Sequence, residues 1–141
     1  MTDTPTIENA EMAIYNLLKN DSILIQLCPA ASIYYLQSPE NAAYPLITYQ
    51  KISASWRNLT NTGKNNIANA HIQVVAFDGN LANAKAMAKE IRTLLHGYRG
   101  MVEDFEILEI RQVNEFDMFE TENSVYQCYQ SFVVYHVEEL N

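Results

Sequence analysis

The sequence predicts an α+β domain, a mainly antiparallel sheet of four to five strands with a long helix and N-terminal helices packed on one face. Three observations predict it. Apolar residues at helical spacing are confined to the N-terminus and to one segment after residue 80, alternation of period two dominates elsewhere, and the alternating segments are joined by short or hairpin-like connections. The most informative stretch is 106–137, where alternating segments at 107–113 and 125–137 flank an acidic connection. A strand of about 13 residues spans about 43 Å at about 3.3 Å per residue, so it forms the spine of a sheet or reaches beyond the globule to meet something.

Ile7, Ala10, Ile14, Leu17 and Leu18 make one face of a first helix over 7–18. Asp21 or Ser22 caps a short second turn through Ile23, Leu24 and Leu27, which Pro29 closes. A short strand follows at 33–36, and Ser38, Pro39, Glu40 and Asn41 make a turn. Pro45 opens a strand at 46–53, in which Ile47 and Tyr49 alternate with Thr48 and Gln50. The next strand, 70–77, sets Ile72, Val74 and Ala76 against His71, Gln73, Val75 and Phe77. Asn80 is placed to cap the long helix, whose stripe is Leu81, Ala84, Ala88, Ile91 and Leu95, and Gly97 supplies its left-handed stop.

A chain of 141 residues fits one domain spanning 1–141, large enough to bury a core without disulfides or metals. Cys28 and Cys128 show no CxxC or Cys/His spacing and read as buried small hydrophobes of a reducing cytosol. The first eleven residues are polar and acidic, without the basic and apolar regions of a secretion signal. No apolar run approaches the roughly 20 residues that span a bilayer, so no membrane partner is expected. A net charge of −8 argues against holding nucleic acid by neutralising phosphates, although a mildly anionic wall suits a passage through which DNA slides.

Nothing in the sequence converges on catalysis, and no cofactor or metal is expected. His71 and His136 fall in predicted strands with Cys128 near, but the spacing carries no ligand signature, and half-buried strand histidines are the simpler reading. Cys128 with His136 lacks an oxyanion nest and a third orienting group. Glu115 and Asp117 form a carboxylate pair, but they lie in an acidic hairpin connection that favours solvation over acid and base work.

Two segments depart from the compact pattern. Residues 54–69 form a 16-residue connection with five Asn, Gly63, the bases Arg57 and Lys64, and no acid. A structureless loop this long is functional or mobile. Residues 103–122 hold eight acids against one base, Arg111. Copies of the protein can therefore meet head to side, with Arg57 and Lys64 approaching Glu115 and Asp117 of a neighbour; two solvated surfaces are the alternative. Trp56 lies beside Arg57, either as an interface anchor or folded back over the domain's own core.

Taken in order, the Ser38-Pro39 turn, Tyr44-Pro45-Leu46-Ile47-Thr48-Tyr49-Gln50, Ala70-His71-Ile72-Gln73-Val74 and the Ala-rich helix ending Leu95-His96-Gly97-Tyr98-Arg99-Gly100 carry a family likeness. Asn114-Glu115-Phe116-Asp117 and the last strand from Val125-Tyr126 to Phe132-Val133-Val134-Tyr135 complete it. Over most of its length the chain resembles the tail completion proteins of long-tailed bacteriophages, the tail terminator or head-tail joining family. The resemblance implies a non-enzymatic subunit, monomeric in solution, that assembles into a ring, commonly a hexamer, at the head-proximal end of the virion's tail. Such a ring ends growth of the tail tube, so its implied partners are further copies of itself, the tail tube protein and the head-tail connector protein. DNA passes through without sequence-specific binding, and the subunit waits in the host cytoplasm before assembly. Relatives order a long inter-strand loop on assembly, a role that falls here to residues 54–69. The competing reading is a small cytosolic ligand-binding module or enzyme with a pocket between the long helix and the sheet.

Overall fold

The computed structural model describes residues 7–58 and 64–139. The elements run α1 (Ala10–Lys19), α2 (Leu24–Leu27), β1 (Ile33–Tyr35), β2 (Leu46–Asn58), β3 (Asn65–Asp78), α3 (Leu81–Leu95), β4 (Gly100–Val102), β5 (Phe105–Glu120) and β6 (Val125–Glu139). The six strands form one sheet in the order β1-β2-β3-β6-β5-β4.

This overturns the expected four- to five-stranded, mainly antiparallel sheet under a long helix. The sheet has six strands and is mixed, because β1 runs parallel to β2. Among the described residues α1, α2 and α3 hold 10, 4 and 15 residues, and at about 1.5 Å per residue even α3 is short beside β2, β3, β5 and β6, which hold 13 to 16 residues at about 3.3 Å each. Strands of this length accumulate enough right-handed twist to curl the sheet into a half-barrel.

Helix starts and stops follow the local chemistry. Asn9 accepts from the Met12 N–H at 2.9 Å, Asp21 from the Leu24 N–H at 3.0 Å, and Asn80 from the Asn83 N–H at 3.0 Å. Gly97, just past α3, has φ +84, a left-handed value open to glycine. The stripe of α3, Ala84, Met87, Ala88, Ile91 and Leu95, is buried against one face of the sheet. That face supplies Ile47, Ile72, Val74, Phe132 and Val134, while Ala13, Ile14 and Leu18 of α1 close the same core. Among the described residues the space between α3 and the sheet is therefore filled with side chains, where the competing reading expects a pocket.

The 16-residue connection over 54–69 is corrected as well. Residues 54–58 belong to β2 and residues 65–69 to β3, paired antiparallel from Ala54 with Ala70 to Asn58 with Asn66. The remainder of that segment, 59–63, lies outside the described residues. The acidic connection between 113 and 125 is likewise mostly strand, since β5 runs on to Glu120.

Candidate assembly interface

The sheet has two stretches of edge with no strand beyond them among the described residues. At one side β1 covers only the start of β2, pairing Ile33 to Tyr35 with Ile47 to Tyr49, and the Leu36 N–H bonds the Tyr49 carbonyl at 2.9 Å. Residues 50–58 of β2 continue without that cover. At the other side β4 pairs with β5 from Phe105 to Ile107. The turn after α3 continues the cover, with Gly97 N–H to the Ile110 carbonyl at 2.7 Å, Ile110 N–H to the Tyr98 carbonyl at 3.0 Å, and Gln112 N–H to His96 Nδ1 at 3.0 Å. Residues 113–120 of β5 then run on uncovered. A strand edge presents a row of outward N–H and C=O groups, a ready template for another strand.

Large apolar side chains collect on these stretches. Ile52 and Trp56 are exposed on β2, and Val113, Phe116, Met118 and Phe119 on β5. Phe116 stacks on Tyr129 at 4.6 Å and Phe119 leans on Tyr126 at 4.7 Å, so the β5 aromatics are held in place by β6. Pre-positioned rings lose little side-chain entropy when a partner covers them.

Of the five residues expected to mediate assembly, Trp56 and Arg57 lie on the uncovered stretch of β2, Glu115 and Asp117 on that of β5, and Lys64 on neither. Trp56 lies on the helix-bearing face near Asn9 and Glu11 and is 56 % exposed, so it is not folded over the core. Arg57 points to the opposite face, and Lys64 is exposed one residue before β3. At the far end Glu115 accepts from the side-chain amides of Gln112 at 2.9 Å and Gln130 at 3.3 Å. Asp117 pairs with Lys85 of α3, and that ammonium holds the Asp117 carboxyl below its ordinary range. The basic and acidic groups thus sit at opposite ends of the subunit, and both acids already have partners within the chain.

A second basic feature escaped the sequence reading. On the face away from the helices Arg57, Arg99 and Arg111 line a groove of ≈ 480 Å³ with Leu108, Glu109 and Tyr135. Glu109 bridges two of them, at 3.8 Å from Arg99 and 3.6 Å from Arg111. Three guanidinium groups against one carboxylate make a basic patch on an acidic protein. In the sequence Arg111 is the lone base of an acidic run, and its period-two spacing from Glu109 is the signal that places both on one face.

The residues weighed for metal or nucleophilic chemistry are kept apart. His71 is exposed on the face away from the helices, paired across the sheet with Val133, whereas His136 and Cys128 are buried on the other face. Those two are separated by eight residues of β6, about 26 Å along a strand. Burial pushes the Cys128 thiol up to about 11 and the Cys28 thiol up to about 12, the opposite of an activated nucleophile.

The comparisons with known proteins agree with a chain built for assembly. The family described as tail completion protein gp17 matches residues 12–137. The chain belongs to that family. It is a structural family of the bacteriophage tail, so the protein is a virion structural component. Among solved structures the chain is similar to one in the virion of a native gene transfer agent particle, with a TM-score of 0.71 at 14% identity, covering 91% of this chain and 94% of that one. At that identity the likeness shows the fold. No curated protein matches the chain.

Proposed function

We propose that this tail completion protein assembles into a ring on the head-proximal end of the tail tube, where it ends tube growth and offers the surface that the head connector joins. The observation that carries the reading is the pair of uncovered edges on opposite sides of one sheet, in a chain of the tail completion family. Contacts between two different patches of the same subunit generate closed rings when the rotation per copy allows. Six copies, the number the family resemblance implies, are the proposed stoichiometry, and the single domain acts without a catalytic step. Its partners are its own copies, the tail tube protein and the connector protein.

Trp56, Arg57 and Lys64 are proposed to face Glu115 and Asp117 of the neighbouring copy. The chain's charge of −8 supports a lumen through which DNA slides rather than binds. Tail tube protein polymerised with and without this protein supplies the test. Tubes of uniform, shortened length with the protein present support the reading. Length distributions that do not change at any ratio of the two proteins contradict it.

A further inference from the structure

We infer that the ring closes by strand addition: residues 50–58 of β2 in one copy pair antiparallel with residues 113–120 of β5 in the next, so that the sheet runs on from subunit to subunit. The inference rests on the ring reading above and names how neighbouring copies hold each other. The occupant of each edge is thus a second copy of this chain.

Cover on the two outer edges is complementary rather than uniform. The row Lys51, Ile72, Phe132 and Gln112 crosses all four long strands, and a bulge sits beside it on both β2 and β5. On one side of that row β2 loses its outer neighbour, and on the other side β5 loses its own. The sheet is a parallelogram whose free edges are offset along the strands.

The offset has the size that closure demands. Ala54, midway along the free β2 stretch, is level with Val134 of β6 through Ala70, whereas the middle of the free β5 stretch, at Phe116 and Asp117, is level with Tyr129 and Cys128. Five to six residues of β6 separate those levels, about 18 Å along the strand. Each copy contributes four long strands, so the next copy lies about 19 Å across at about 4.8 Å per strand. A shift of about 18 Å over about 19 Å is a strand tilt of about 43°, inside the 35–45° that barrels adopt. Mating the two stretches therefore imposes the stagger a closed sheet needs, whereas a flush sheet with level edges would impose none.

Charge favours the same match. Residues 50–58 hold Lys51 and Arg57 and no acid, and residues 113–120 hold Glu115, Asp117 and Glu120 and no base. Arg57 lies on the face away from the helices and Glu115 and Asp117 on the helix-bearing face, so these charges draw the two stretches together at long range and do not pair side chain to side chain across the strands.

Cysteine pairs test the inference, all placed on the face away from the helices: Ser53→Cys with Met118→Cys, Ser55→Cys with Met118→Cys, and Ser55→Cys with Asn114→Cys. They sample three adjacent antiparallel registers. Each variant is concentrated on tail tubes, imaged, and oxidised with copper-phenanthroline. The expected result is a ladder of covalent multimers from at least one pair and none from the parents that carry one introduced cysteine beside Cys28 and Cys128. In the unsubstituted protein, amide exchange across both stretches is expected to slow by about tenfold or more on assembly. Rings that give no ladder from any pair, or that leave exchange unchanged in both stretches, overturn strand addition while the ring reading stands. If the unsubstituted protein forms no ring on tubes, the ring reading fails and this inference fails with it.

Discussion

Lys51 and Gln112 stand on one row of the sheet, linked through Ile72 and Phe132, and each marks the bulge at which its strand passes from covered to uncovered edge. Bulges raise local twist and bend a strand. Here they fall where β1 and the segment after α3 stop covering their neighbours, so the covered halves stay with the helices and core while the uncovered halves project. Trp56 and Asp117 mark the two projections. They share the helix-bearing face, yet Trp56 is level with His136 and Asp117 with Cys128, eight residues apart on β6.

The stripe of α3 sets the stability of the covered half. Ile91 is fully buried against the sheet, and Ile91→Ala is expected to destabilise by about 2 to 4 kcal/mol in a chemical denaturation experiment. Lys89, exposed on the opposite side, should change stability by under about 0.5 kcal/mol on substitution by Ala. Equal losses from the two variants would show the helix facing the wrong way.

Acid should loosen the fold through His136. Its ring packs against Phe105 at 4.7 Å, and burial lowers its pKa from the ordinary 6.5, outweighing the carboxylates of Glu138 and Glu11, with Lys51 adding to the depression. A depressed folded-state value means that the unfolded chain takes up the proton first. The stabilisation is therefore complete above about pH 6.5 and is lost as pH falls below it toward the folded-state value. Denaturation midpoints measured between pH 7 and pH 5 should fall, and His136→Gln should flatten that slope. An unchanged slope in the variant would assign the pH dependence elsewhere.

Charge at the two ends should govern how readily copies meet. Arg57→Glu combined with Lys64→Glu is expected to slow assembly on tubes while leaving the monomer folded, and added salt should weaken assembly of the unsubstituted protein over a Debye length of about 8 Å. Glu115→Lys with Asp117→Lys should restore assembly when mixed with the reversed partner. Loss of the exposed Asp117–Lys85 pair costs the monomer at most about 1 kcal/mol. Normal tail capping by the double-Glu variant at low salt would shift the interface to apolar contacts such as Trp56.

What the sequence made legible was whatever local chemistry dictates. The Asn80 cap, the Gly97 stop and the stripe from Ala84 to Leu95 are short-range signals that are realised, whereas Leu81, expected at the head of that stripe, is exposed. The outer halves of β2 and β5 are not legible as strands in the sequence because alternation announces a strand through its buried face, and these halves have no buried face within one subunit. Residues 115–118 alternate Glu115 and Asp117 with Phe116 and Met118, a period-two pattern that reads as a solvated connection within a run of eight acids over 103–122. The parallel pairing of β1 with β2, and the groove that brings Arg57 to Arg99 and Arg111, depend on contacts distant in sequence that no local pattern records.

The central claim is that these uncovered edges exist to be filled by further copies at the end of a tail tube. Electron microscopy of the unsubstituted protein mixed with tail tubes examines that claim most directly. The account predicts a closed ring at one end of each tube. Monomers bound singly along the tube walls, or tube ends left bare at saturating protein, would contradict it.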